Sequence, residues 1–472
     1  MLKNIFSLVL LTILAVACTS QDQKQESTAE EGGVGKLKIS DDGRYFTREN
    51  GDPFFWLGDT GWLLFSKLDR DEAEVYLENR REKGFNVIQV MVLHTVGAVN
   101  VYGDSALVKK NVATPKVTEG NSFEDSLQYD YWDHVDYMVD LAAEKGLYMA
   151  LVPIWGTDVK GGHVNQAQGE AYAAWIADRY KDRPNIIWLN GGDIKGSDSL
   201  EVWQRMGATL REKDKNHLIT FHPRGRTTSS FWFHNEDWLD FNMFQSGHRN
   251  YAQDTSAGEL HYGEDNWRFV VEDMKKTPPK PTLDGEPSYE MIPQGLHNPE
   301  NPYWGSSDVR RYGYWSVFAG GAGYTYGHNT VMQMLQPTDK GSAFGGKGVW
   351  DDAIDHPGAG QMVHLKTLML SRPYFDRVPD QSLVAKQPGD KYDYQLATRG
   401  KDYAFIYTYN GKNISVNMGK IEGDNVKASW FNPKKGTFTE LEETFPNKGV
   451  VEFNPPGEPR NGNDWVLVLD GK

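Results

Sequence analysis

A single cysteine, Cys18, is all that 472 residues contain. That shortage excludes an internal disulfide framework and any multi-cysteine metal site. Basic residues are in deficit too. A formal net charge of −15 argues against nucleic acid, or an anionic membrane surface, as a partner of the whole molecule. Several chemical signatures are missing as well. There is no Gly-x-Ser-x-Gly elbow to present a serine nucleophile, no Gly-x-Gly-x-x-Gly opening after the first strand, and no Walker-type phosphate loop. No repeat of fixed period runs through the chain. Aromatic residues, by contrast, are plentiful, with 15 Trp and 23 Tyr. Such rings pack cores and also stack on sugar faces, so their excess leans towards carbohydrate.

Lys3 precedes an apolar stretch, residues 5–17, that is too short to span a bilayer. The stretch ends in Leu14-Ala15-Val16-Ala17-Cys18, which resembles the lipobox of bacterial lipoproteins and makes Cys18 the expected lipidation site. Residues 1–18 therefore read as a lipoprotein signal peptide. Residues 19–36 are polar and read as a flexible tether. The expected location is the bacterial cell envelope, periplasmic or cell-surface, with the membrane met only through that N-terminal lipid anchor.

From Leu37 onward, eight strand-like runs follow: residues 54–59, 85–93, 147–155, 186–193, 218–222, 241–248, 281–286 and 322–327. Helical patterns fill most of the gaps. Asp69 caps one that places Ala73, Tyr76 and Leu77 on one face. Others are centred on Trp132, Val135 and Met138, on Ala171, Ala174 and Trp175, and on Leu200, Trp203, Met206 and Leu210. Residues 267–276 are the candidate between strands six and seven. The alternation predicts an α/β fold, a (β/α)8 barrel over residues 37–378. The long Gly/Asn/Thr-rich connection 94–129 is expected to cover substrate. Beyond it, short alternating runs separated by turns such as Asn410-Gly411 predict an antiparallel β-sandwich over residues 379–472.

Two strand ends carry lone carboxylates, in Asn190-Gly191-Gly192-Asp193 and in Asp284-Gly285-Glu286. The C-terminal ends of barrel strands open onto one functional face. Two acids there, one protonated and one ionised, are the usual requirement for glycosidic cleavage. Asp193 is the candidate general acid/base; its alternative is a helix N-cap. Glu286 is the candidate nucleophile, with Asp284 a competitor on the same strand face. At other strand ends, Asp59, His94, Trp155, His222 and His248 are candidate sugar contacts. Arg224, next to Arg226, could meet an acidic sugar. Three histidines at strand ends could hold zinc, but they show no close pairing, so neither metal nor cofactor is expected.

Longer runs carry a resemblance. Phe55-Trp56-Leu57-Gly58-Asp59-Thr60, Lys83-Gly84-Phe85-Asn86-Val87-Ile88-Gln89, Tyr180-Lys181-Asp182-Arg183-Pro184-Asn185-Ile186-Ile187-Trp188, Asn242-Met243-Phe244-Gln245-Ser246-Gly247-His248 and Asp284-Gly285-Glu286-Pro287 resemble the apiosidase-like glycoside hydrolases. Trp430-Phe431-Asn432-Pro433, Phe453-Asn454-Pro455-Pro456-Gly457 and Asn463-Asp464-Trp465 resemble the small domain that follows them, which carries a collagen-binding label. The resemblance implies a barrel followed by a β-sandwich, and release of apiose from the pectic polysaccharide rhamnogalacturonan II. It also selects Glu286 over Asp284 as the partner of Asp193. The competing expectations are a glycosidase on another glycan, of arabinofuranosidase or endoglucanase type, and a non-catalytic glycan-binding or adhesin lipoprotein.

Overall fold

The structure is a computed structural model that describes residues 33–255 and 260–472. The expected signal peptide, Cys18 and most of the expected tether lie outside the described residues. The tether's last residues are described, and Gly35 is fixed: its N–H donates to Tyr148 Oη and its carbonyl accepts from the same hydroxyl.

Eight parallel strands form the barrel wall: β1 (Trp56–Thr60), β2 (Val87–Leu93), β3 (Tyr148–Ile154), β4 (Ile186–Ile194), β5 (Ile219–Pro223), β6 (Asn242–Gln245), β7 (Thr282–Asp284) and β8 (Gly323–Tyr326). Ladders run β5-β4-β3-β2-β1-β8-β7-β6. Every residue of β2 and β3 is buried. Continuous apolar runs suit such strands, because helices cover one face and the barrel interior the other. Helices Arg70–Glu82, Tyr131–Glu144, Gln166–Tyr180, Leu200–Lys213, Trp267–Met274 and Ser306–Phe318 form the outer layer. Asp69 caps the first with a reciprocal capping box to Glu72.

Several details depart from the sequence expectation. Residues 53–54 belong to a separate three-stranded antiparallel sheet with residues 37–39 and 46–48. That sheet packs Phe46 on Trp56 and Phe241, and Phe54 on Tyr148, so it plugs the end where strands begin. Helix Gln166–Tyr180 buries Tyr172, Ala173, Ile176, Ala177 and Tyr180 rather than Ala171 and Ala174. Strands six and seven end before His248 and Glu286, which lie on the loops beyond. A ninth, two-residue strand, Thr227–Thr228, runs antiparallel beside β6. The β5–β6 seam has no regular ladder. It is closed by Asp240 N–H to the Ile219 carbonyl, Ile219 N–H to Asp240 Oδ2, and Thr220 Oγ1 to the Phe241 carbonyl. The connection 94–129 packs outward: Trp132 Nε1 donates to the Ala106 carbonyl, and Arg70 N–H to Tyr102 Oη.

Past the barrel, a six-stranded antiparallel sheet and a three-stranded one face each other. Their shared core includes Ile406, Ile414, Val416, Ala428, Trp430 and Leu467. Tyr392 and Asp393 lie in a 3₁₀ turn, Lys391–Asp393, that precedes the strand Leu396–Arg399.

Candidate active site

Strand β4 is built to push an acid out of its ladder. Gly191 and Gly192 have φ of 99° and 108°, and Asp193 itself sits at 45°. The β4–β5 register shifts between Gly191 and Ile194, which is the signature of a bulge. A Cβ on Gly192 would stand 2.6 Å from Trp155 Cε3, so only glycine fits beneath that ring. The bulge leaves Asp193 partly open to solvent at the strand's C-terminal end. It is not a helix cap, since the next helix begins at Leu200 behind Ser199. Burial and the nearby Glu286 charge push Asp193 up to about 7, against the opposing pull of Arg224, His248 and the Gly225 N–H.

Glu286 lies two residues beyond β7. Its Oε1 is 3.2 Å from His248 Nε2, and its Oε2 is 3.3 Å from His222 Nε2, at an angle outside hydrogen bonding. Burial pushes its carboxyl up to about 8, while hydrogen bonds from Tyr289 and Gln245 pull the other way. His222 Nδ1 accepts the Asp193 N–H at 3.3 Å, which puts its own proton on Nε2, facing Glu286. Burial drives His222 down to about 3 and His248 down to about 4, so both rings are neutral at ordinary pH. His248, Tyr289 and Gln245 thus donate to Glu286, with the His222 N–H close by but misaligned, whereas Asp193 has one backbone amide and a more distant guanidinium. Burial still leaves the Glu286 carboxyl at about 8, above Asp193 at about 7, so these hydrogen bonds offset only part of its desolvation.

The same-face expectation for Asp284 and Glu286 fails because β7 ends between them. Asp284 is fully buried, and its oxygens accept from Ser246 Oγ at 2.6 Å and Asn266 Nδ2 at 3.0 Å. It braces the start of helix Trp267–Met274. Gly285 then turns the chain: a Cβ there would overlap Met243, while its carbonyl accepts from Gln89 Nε2 at 2.8 Å.

Trp62 and Trp155 wall the site, 5.2 Å apart, and the Trp62 ring lies 5.3 Å from His222. Trp62 Nε1 donates to Tyr289 Oη at 3.1 Å, and Tyr289 packs 4.8 Å from His248. Trp155, His222 and His248 are therefore brought together with both acids, and exposed Arg224 stands beside Asp193. Asp59 and His94 are not. Asp59 points outward, fully buried, accepting from Tyr76 Oη and Arg80 Nε at 2.6 Å each. His94 pairs through Nδ1 with Ser66 Oγ at 3.0 Å. Among the described residues, no group of three or more His, Cys, Asp or Glu side chains could hold a metal ion. Trp62, Tyr289 and Gln245 were not singled out from sequence. Each lies within a few residues of a candidate: Trp62 three after Asp59, Tyr289 three after Glu286, Gln245 three before His248.

Residues 40–376 match the family described as "Apiosidase-like, catalytic domain". The chain belongs to the apiosidase-like family. Residues 378–470 of this apiosidase-like protein match a second family, described as "Putative collagen-binding domain of a collagenase". One solved glycoside hydrolase is 48% identical, with a TM-score of 0.87 over 93% of this chain and 97% of its own. A glycoside hydrolase of family 5 from Bacteroides vulgatus ATCC 8482 is 47% identical, with a TM-score of 0.86 over 93% and 94%. No curated protein matches the sequence. The apiosidase-like chain is a glycoside hydrolase with a (β/α)8 barrel and a C-terminal β-sandwich.

Proposed function

We propose that this glycoside hydrolase acts on a plant cell-wall glycan and releases apiose from rhamnogalacturonan II, with Asp193 as acid/base and Glu286 as nucleophile. The supporting observation is the meeting of two carboxyls, Glu286 buried and Asp193 half-buried, both with raised pKa, in one aromatic-walled site at the ends of β4 and β7. Glu286 Oε attacks the anomeric carbon as the C–O bond to the leaving group breaks, and Asp193 gives its proton to the departing oxygen. A glycosyl ester on Glu286 results. Water then attacks the same carbon, Asp193 takes its proton, and the ester bond returns its electron pair to Glu286. The His248 N–H, with Tyr289 and Gln245, holds the Glu286 charge before attack and as the ester leaves. Arg224, exposed beside Asp193, suits an acidic sugar in the leaving group.

The test is incubation of residues 37–472 with pectic and hemicellulosic glycans, followed by identification of the released sugar and its anomer. Apiose with retained configuration supports the proposal. Arabinose or cello-oligosaccharides as the product, or inversion, would overturn the substrate or the mechanism respectively. Lipid attachment at Cys18 is a second part of the proposal, resting on Leu14-Ala15-Val16-Ala17-Cys18. Radiolabelled palmitate should enter the full-length protein and be absent from Cys18→Ser. Equal labelling of both would refute it.

A further inference from the structure

The β-sandwich reaches the loop that carries His248. Glu264, fully buried, accepts three hydrogen bonds from three parts of the fold. Its Oε1 takes the Tyr251 N–H at 3.2 Å and the Tyr392 hydroxyl at 2.8 Å, and its Oε2 takes Arg311 Nη2 at 2.6 Å. Tyr251 is on the His248 loop, Arg311 on helix Ser306–Phe318, and Tyr392 in the sandwich's 3₁₀ turn. The Arg311 guanidinium is caged by the rings of Tyr312, Trp315, Tyr392 and Tyr409, at 4.7 to 5.2 Å. Two residues on, Tyr394 stacks on Trp267 at 4.7 Å with rings 5° apart, where the loop enters helix Trp267–Met274. Lys391 sits 5.1 Å from the Tyr251 ring. The other side of the loop is held by the barrel itself, through Gly295 N–H and Trp304 Nε1 to the His248 carbonyl.

We infer that Tyr392 of the C-terminal domain is a positioning residue for catalysis: through Glu264 and Tyr251 it fixes the loop that aims His248 at Glu286. The inference rests on Glu286 being the nucleophile. Tyr392→Phe keeps the ring and removes one donor from a buried carboxylate, so the fold survives while the loop loosens. Hydrogen exchange at the backbone amides of residues 249–255 should speed up in this variant. On a released-sugar assay, kcat should fall about fivefold with KM changed less than about twofold. The acid limb of the pH profile should move up by about half a unit. Glu286 then loses His248 support among titratable neighbours that otherwise are Asp193, His222 and Tyr289. Val416→Ala, in the sandwich core away from this contact, should change neither kcat nor the acid limb. Unchanged loop exchange in Tyr392→Phe overturns the inference whether or not a substrate is known. So do faster exchange without a kinetic change, and a Val416→Ala variant that reproduces the kinetics. A chain active on no glycan, yet with faster loop exchange in Tyr392→Phe, would sink the glycosidase mechanism while leaving the clamp standing.

Discussion

Replacing Glu286 by Gln should make the protein more stable and inactive at once, and the stabilisation should depend on pH. Burial raises the Glu286 carboxyl from 4.5 to about 8 in the folded chain. A group raised on folding supports the fold fully below its unfolded pKa, and that support is lost as pH climbs through the folded value. The window for Glu286 therefore runs from about pH 4.5 to about pH 8. A rise of that size corresponds to roughly 5 kcal/mol in the alkaline limit. Gln occupies the same volume and carries no charge, but it cannot satisfy every donor now facing the carboxylate. A net gain of about 2 kcal/mol at pH ~8 is the expected remainder, and because the linkage contribution falls by roughly 3 kcal/mol between pH ~8 and pH ~5, the gain is lost and slightly reversed at the lower pH. Urea unfolding of wild type and Glu286→Gln at both pH values measures this directly. Removing the Glu286 charge also lowers the Asp193 pKa, which adds to the gain in the same direction. Turnover in the variant should fall by about three orders of magnitude or more. A stability difference that is the same at both pH values, or a variant less stable at the higher one, would falsify the account of a carboxylate buried at a cost to the fold.

Three further outcomes follow from the same geometry. Asp193→Asn should cut kcat about 10²- to 10⁴-fold on natural glycans, and much less on substrates with acidic leaving groups; an equal loss on both would remove Asp193 from the acid role. Gly192→Ala should destabilise by about 1–3 kcal/mol, because its φ of 108° and the Trp155 ring both exclude a Cβ; a thermal melt matching wild type would contradict the strained bulge. Asp59→Asn should cost about 3–5 kcal/mol by stranding the buried Arg80 charge, while active-site titration shows normal kcat per folded molecule; a loss confined to kcat would mean that Asp59 serves substrate after all.

The barrel was legible because its strands are continuous apolar runs and its helices carry capping residues such as Asp69, all local signals. Asp193 stands out in the sequence because two glycines precede an acid at a strand end, a pattern that a helix N-cap explains equally well on paper. Asp59 shows the limit of that rule. It too ends a buried strand, but side-chain direction is set by strand phase, and its phase faces helix Arg70–Glu82 and Arg80. Asp284 and Glu286 were inseparable on paper because alternation was carried past the end of β7, where Gly285 breaks it. Trp62, Tyr289 and Gln245 stayed hidden for a related reason. Loops and neighbouring strands carry them into the site through contacts remote in sequence, and no periodicity encodes such contacts.

The fixing of Gly35 also settles where the described chain begins. Tyr148 opens β3 at the plugged end of the barrel, so the first described residues lie on the side opposite Asp193 and Glu286. A glycan entering at the strand ends therefore meets the acids without having to pass those residues, and the small three-stranded sheet closes the other end to traffic.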